Sequence, residues 1–100
     1  MLRIQRKNRE AHRVSLVLQG HLAAEWAELL ERECLESSRS GLSVSLDLAG
    51  VVFVSLSGLE VLGRLARSGV GIIACPPLIA DMLEQDGIEV ERELPEGSDI

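Results

Sequence analysis

Apolar and polar residues alternate from Leu2 through Arg3, Ile4 and Gln5 to Arg6, the period of a strand with one face buried. The polar group Lys7-Asn8-Arg9-Glu10 reads as a turn, and Arg13-Val14-Ser15-Leu16-Val17-Leu18-Gln19 resumes the alternation up to Gly20. So short a connection predicts an antiparallel hairpin. From Leu22 the period changes. Trp26, Leu29, Leu30 and Cys34 recur at the spacing of one helical face, with Glu25, Glu28, Glu31 and Arg32 largely on the other side. Ser37-Ser38-Arg39-Ser40-Gly41 ends that helix with turn chemistry.

A third strand is expected over Leu42–Leu48. The β-branched run Val51–Val54 follows as a strand extension or a buried loop. A second helix starts near Ser57 and runs to about Arg67. Leu59, Leu62 and Ala66 share one of its faces, and Glu60, Arg64 and Arg67 form a wet stripe. Glu60 precedes Arg64 at the spacing that favours an ion pair. Ser68-Gly69 closes this helix. Val70–Cys75 is almost wholly apolar, which predicts a strand buried on both faces. Pro76-Pro77 opens a third helix, Leu78–Gln85, capped by Gly87. Ile88-Glu89-Val90-Glu91 alternates as a short last strand would.

The predicted order is therefore β-β-α-β-α-β-α-β, which defines an α/β class with a mixed, mostly parallel sheet and right-handed crossovers. One domain is expected over residues 1–93, followed by an acidic tail, 94–100, expected to be mobile. In such sheets ligands and partners meet the carboxyl ends of the strands. The loop from Ala49 to Ser57 lies at such an end, as does Cys75-Pro76-Pro77.

Composition narrows the picture. The chain has 100 residues, enough for one small domain, and is 46% hydrophobic with only 2% aromatic residues, so its core must be aliphatic. No apolar run approaches the roughly 20 residues that span a bilayer. The basic start lacks the apolar segment of a signal peptide behind it. Cys34 and Cys75 form no metal or redox spacing, so both are expected as reduced core residues in a cytoplasmic setting. A net charge of −6 argues against a nucleic-acid binder. Arg3, Arg6, Lys7, Arg9 and Arg13 crowd the start, while Asp81, Glu84, Asp86, Glu89, Glu91, Glu93, Glu96 and Asp99 crowd the end. The basic start suits an acidic partner, a membrane surface or simply a solvated edge strand, where charges block aggregation.

Candidate chemistry concentrates at Ser57. A serine at a helix start is a natural cap, and its hydroxyl stands beside free N–H groups that favour negative charge. That suits a phosphorylation switch, a docking edge or plain capping. Asp47 falls inside a strand, where a carboxylate needs partners; it is expected to accept hydrogen bonds from the loop before Ser57. Trp26 belongs to the core or lines a pocket. His12 and His21 have no second ligand or nucleophile at useful spacing. Without a nucleophile–base–orienter set, a glycine-rich phosphate loop or a metal-ligand cluster, neither catalysis nor a metal or other cofactor is expected.

The order of elements, from Leu2 to about Val90, resembles the STAS domain of bacterial anti-sigma-factor antagonists. The resemblance is carried by Leu18-Gln19-Gly20-His21-Leu22, Leu46-Asp47-Leu48-Ala49-Gly50-Val51, Gly58-Leu59, Ile73-Ala74-Cys75-Pro76-Pro77 and Leu83-Glu84-Gln85-Asp86-Gly87-Ile88. The family's switch motif is Asp-Ser-Ser/Thr-Gly, and Ser55-Leu56-Ser57-Gly58 stands at its place. Ser57 matches the phosphoacceptor and Gly58 is kept; Ser55 replaces the aspartate and Leu56 the first serine. The resemblance implies a regulatory interaction module, bound through Ser55, Leu56, Gly58, Leu59, Glu60, Val61 and Arg64 by an anti-sigma-type serine kinase, with phosphorylation of Ser57 breaking the complex. Leu56, Leu59 and Val61 would supply the apolar part. Two other roles are open to STAS-like proteins: an accessory subunit of a Mla-type lipid-transport ATP-binding-cassette ATPase, and a small-ligand or nucleotide sensor.

Overall fold

The structure, a computed structural model, describes residues 1–7 and 10–92. The hairpin turn at Asn8 and Arg9 and the tail at 94–100 lie outside the described residues, as does residue 93. Four strands and three helices follow in the order β1 (Leu2–Lys7), β2 (Arg13–Leu22), α1 (Glu25–Arg39), β3 (Ser43–Val54), α2 (Leu56–Arg67), β4 (Gly71–Ile73) and α3 (Pro77–Gln85). The sheet order is β1-β2-β3-β4. The first pair is antiparallel, with Leu2 opposite Gly20 and Lys7 opposite Ser15. The β2–β3 and β3–β4 pairs are parallel. The α/β class and the mostly parallel sheet are therefore those expected.

Period-2 alternation decides which face is covered. Val14, Leu16 and Leu18 of β2 and Val44, Leu46 and Leu48 of β3 are buried, while Ser15, Val17, Ser45 and Asp47 between them are only half-buried. Against the buried face lie Ala27, Leu30 and Cys34 of α1, Val61, Leu62 and Leu65 of α2, and Ile79, Ala80 and Leu83 of α3, in a single core. Each fully buried leucine stabilises the fold by about 2 kcal/mol. Burial pushes the Cys34 thiol up to about 12 and the Cys75 thiol up to about 11, so both stay neutral and behave as small apolar residues.

Several elements differ from the expectation. Strand β3 runs five residues past Ala49, so of the two readings expected for Val51–Val54 the strand extension is the one that forms. Strand β4 is only three residues long, with Gly71 exposed and Ile73 half-buried, because among the described residues the three helices share one core on the other face of the sheet. Helix α2 buries Gly58, Val61, Leu62, Gly63 and Leu65, a broader stripe than the expected Leu59, Leu62 and Ala66. No last strand forms over Ile88–Glu91. Ile88 N–H instead donates to Leu83 C=O and Gly87 N–H to Glu84 C=O, closing α3 with Gly87 in the left-handed region at φ 77°. The chain then meets the β4 side through Cys75 N–H on Glu91 C=O, Glu91 N–H on Ile72 C=O, and a single bridge between Cys75 and Arg92. Arg92 ties this segment to α3 by ion pairs with Asp81 and Glu84.

The parallel strands place the starts of α1, α2 and α3 at one edge of the sheet, the carboxyl edge. The turn into α1 is strained. Ala24, its N-cap, sits at φ 51° and ψ −129° and makes no side-chain capping bond. For a residue with a Cβ this costs about 1–3 kcal/mol. Glycine adopts the same angles freely and is accepted at N-caps, at an entropic cost of about 0.5–1 kcal/mol. Ala24→Gly is therefore expected to stabilise the domain by about 1 kcal/mol, read as a higher denaturant midpoint at unchanged slope.

Candidate functional site

The carboxyl edge gathers the candidate residues where β3 passes into α2. Val52 and Phe53 are exposed at 76% and 52%, beyond the last residue of β3 that pairs with β4, Asp47. On the other side β3 still pairs with β2, His21 opposite Phe53 and Leu22 opposite Val54. The His21 and Phe53 rings meet edge-to-face with centroids 6.1 Å apart. Ser55 N–H donates to Leu22 C=O at 3.1 Å, fixing the junction to the end of β2.

The helix cap is Ser55, not Ser57. Its backbone is extended and its Oγ accepts from Gly58 N–H at 3.1 Å, satisfying one of the free donors of the first turn. Leu56 is thus the first residue of α2 and Ser57 the second. The two serine hydroxyls share a hydrogen bond, Oγ to Oγ, of 2.9 Å. Ser57 is exposed, and the helix N-terminus beside it favours negative charge. Leu56 projects between the two serines at 79% exposure.

Gly58 is buried because the end of β2 crosses against it. A Cβ there would overlap Leu22 C=O and come within 2.9 Å of Val54 Cγ1. Leu59 is half-buried, and Glu60 and Arg64 are exposed. Val61 is 3% exposed, so its side chain belongs to the core and supplies nothing to a surface. The surface therefore unites Ser55, Leu56, Ser57, Leu59, Glu60 and Arg64 and leaves Val61 inside.

Arg64 does not pair with Glu60. Its Nε and Nη2 donate to Glu31 of α1 at 2.9 and 3.0 Å, a bidentate clasp between the two helices. That contact holds the Glu31 carboxyl below its ordinary range and raises the Arg64 guanidinium, in each case chiefly through the hydrogen bonding itself. Asp47 also differs from expectation. It is half-buried, and its Oδ1 accepts from Ala49 N–H at 3.0 Å within its own strand, not from the loop before Ser57. Trp26 is half-buried against the core.

Sequence reasoning passed over Val52, Phe53 and Leu78 as surface residues. Leu78, at the start of α3, is 72% exposed at the same edge of the sheet. The unbroken run Val51–Val54 held the one available signal: a strand with one covered face cannot bury all four.

This architecture is that of the STAS domain, the SpoIIAA-like fold. The chain is similar to the anti-sigma factor antagonist SpoIIAA in its unphosphorylated form, with a TM-score of 0.70, 15% identity, and coverage of 93% of this chain and 89% of that one. It is similar to an anti-sigma factor antagonist from Mycobacterium paratuberculosis, with a TM-score of 0.70, 18% identity, and coverage of 87% and 79%. A third likeness, to the murine Slc26a9 anion transporter, has a TM-score of 0.64 at 14% identity and covers 87% of this chain but 17% of the transporter. No protein-family model and no curated protein matches the chain. Among the described residues no helix is long and apolar enough to cross a membrane.

Proposed function

We propose that this chain is a non-enzymatic regulatory module of the anti-sigma-antagonist kind, which docks a protein partner through the β3–α2 junction. The observation that carries this reading is Leu56. A leucine at 79% exposure on the first turn of a helix has no role in the core, and Val52 and Phe53, also exposed, stand just before it at the end of β3. Two proteins of the same fold are anti-sigma factor antagonists, one of them described in an unphosphorylated form. The partner of this reading is an anti-sigma-type serine kinase, and the acceptor is Ser57: exposed, hydrogen-bonded to Ser55, and set where a phosphate of charge about −1.5 to −2 meets a favourable helix terminus. A phosphate there would also desolvate poorly against an apolar partner, which releases the complex.

The test is phosphorylation by the anti-sigma-type serine kinase encoded nearest to this chain. Wild type is expected to take label and Ser57→Ala to take none. Equal labelling of Ser57→Ala would remove Ser57 from the account. One observation favours a second reading. Ser55 stands where the family keeps an aspartate and spends its hydroxyl on capping α2. A surface that docks without being switched, as in the accessory subunit of a lipid-transport ATPase, needs no such aspartate. Under that reading the kinase labels neither protein, and the ATPase binds wild type and Ser57→Ala alike.

A further inference from the structure

The chain carries a net charge of −6, yet residues 1–22 hold five cations, Arg3, Arg6, Lys7, Arg9 and Arg13, against one carboxylate, Glu10. The β3–α2 junction uses none of them. Strand β1 lies at the end of the sheet and pairs with β2 alone. His21 N–H donates to Met1 C=O at 2.8 Å. By the alternation of an antiparallel ladder, Arg3, Gln5 and Lys7 likewise turn their backbone groups towards β2. The N–H and C=O groups of Leu2, Ile4 and Arg6 therefore point out of the sheet, and among the described residues nothing pairs with them. At the other edge Glu91 N–H donates to Ile72 C=O of β4, from a segment, Ile88–Glu91, that alternates apolar and acidic residues. The side chains of β1 follow the same alternation. Leu2 is buried, Ile4 is half-buried against the core, and Arg6 donates to Glu33 of α1 at 3.4 Å, so these three share the core side. Arg3, Gln5 and Lys7 stand exposed on the opposite face, with Gln19, Val17 and Ser15 of β2 across from them. Among the described residues Arg3 and Lys7 are in no ion pair. The strand has six residues, no proline and an unbroken register with β2, so of the usual devices that blunt an edge it has charge alone.

We propose that this edge takes an extended acidic segment of a protein partner as an added strand, at a surface separate from the β3–α2 junction. The outward row at Leu2, Ile4 and Arg6 calls for a strand, because only another backbone offers N–H and C=O groups at its spacing. Arg3 and Lys7 select two carboxylates four residues apart on one face of that strand. Ile4, between them in the chain, takes an apolar side chain on the other face. The same cations turn away a second copy of this chain. Any antiparallel self-pairing gathers Arg3, Arg6 and Lys7 of both copies along one seam, and pairing about Gln5 sets Arg3 of one copy against Lys7 of the other. An anionic membrane meets the cations but leaves the backbone row to water; an acidic strand satisfies both.

A displayed library of random peptides about 10 residues long, selected on the full chain, tests this without a known partner. One class of winners is expected to carry two carboxylates four residues apart with an apolar residue between them. These should bind the double variant Arg3→Gln, Lys7→Gln about fivefold more weakly than wild type, and the control Arg32→Gln, Arg39→Gln on α1 as tightly. Amide hydrogen exchange separates strand addition from a loose contact of charges. The Leu2, Ile4 and Arg6 amides are expected to exchange fast in the free chain and at least about tenfold more slowly with peptide bound, while Arg3, Gln5 and Lys7 stay slow throughout. An empty selection, no winner that the double variant weakens, or acidic winners that leave those three amides fast would each overturn the proposal. So would slowing of the same amides in the free chain as its concentration rises, the mark of a second copy, or binding of phosphatidylserine vesicles that the double variant abolishes. Leu56→Asp should bind these peptides as wild type does, so the outcome stands apart from that of the β3–α2 docking surface.

Discussion

Gly58→Ala is expected to cost the domain about 3 kcal/mol, a large share of the stability of a small fold. The reason is local and backbone-bound. The added methyl overlaps the Leu22 carbonyl and sits 2.9 Å from Val54 Cγ1. That carbonyl accepts the Ser55 N–H bond which holds the β3–α2 junction to β2, so it cannot yield without breaking the contact that sets the site. Gly63 of the same helix makes the control. A Cβ there meets only the flexible ends of Ile88 and Arg67, at 3.1 and 3.3 Å. Alanine also gains about 1 kcal/mol over glycine inside a helix, so Gly63→Ala should leave stability within about 1 kcal/mol of wild type. Urea unfolding followed by circular dichroism measures both. A Gly58→Ala midpoint equal to wild type would mean that α2 does not pack so closely on β2.

Leu56→Asp is expected to do the opposite: spare the fold and abolish partner binding. The side chain is 79% exposed, so little apolar burial is lost. An aspartate in the first turn of α2 also interacts favourably with the helix terminus, by about 0.3–1 kcal/mol. At an interface, by contrast, the change removes the projecting apolar anchor and buries an unpaired charge, a loss of about 3 kcal/mol or more, which is over a hundredfold in affinity. The two readouts are an unfolding midpoint at or above wild type and the affinity for the proposed serine kinase by calorimetry. Undiminished binding by a folded Leu56→Asp would move the docking surface elsewhere.

The two variants also separate what the sequence shows from what only packing decides. Strand and helix periods in Leu2–Arg6, Arg13–Gln19 and Trp26–Cys34 were legible because each buries one regular face. The short ends were not. Ile88–Glu91 alternates like a strand, but closure of α3 at Gly87 leaves Glu91 alone of it bonded to Cys75 and Ile72, with the one bridge falling on Arg92. The apolar run Val70–Cys75 reads as buried on both faces because nothing in it reveals that, among the described residues, the helices cover one face of the sheet alone. At the site, Ser55-Leu56-Ser57-Gly58 holds two serines that both satisfy cap chemistry. The choice of Ser55 depends on where the Leu22–Ser55 bond starts the helix. Arg64 illustrates the same limit. Its neighbour at i−4 is Glu60, but packing of α1 against α2 offers Glu31 in bidentate geometry, which a chain-local rule cannot see. The sequence pattern sets Val61 outside for the same reason: the width of the buried stripe on α2 depends on the elements packing against it.

The central claim is that the β3–α2 junction, and not the uncovered sheet face, receives the partner. Amide chemical-shift mapping of the isotope-labelled chain, titrated with the serine kinase proposed above as its partner, tests it most directly. The account predicts that shifts and line broadening cluster at His21, Val52–Glu60 and Leu78, with Ser15, Val17, Ser45, Asp47 and Gly71 unmoved. Perturbation centred on those five residues, with Leu56 and Ser57 silent, would contradict it.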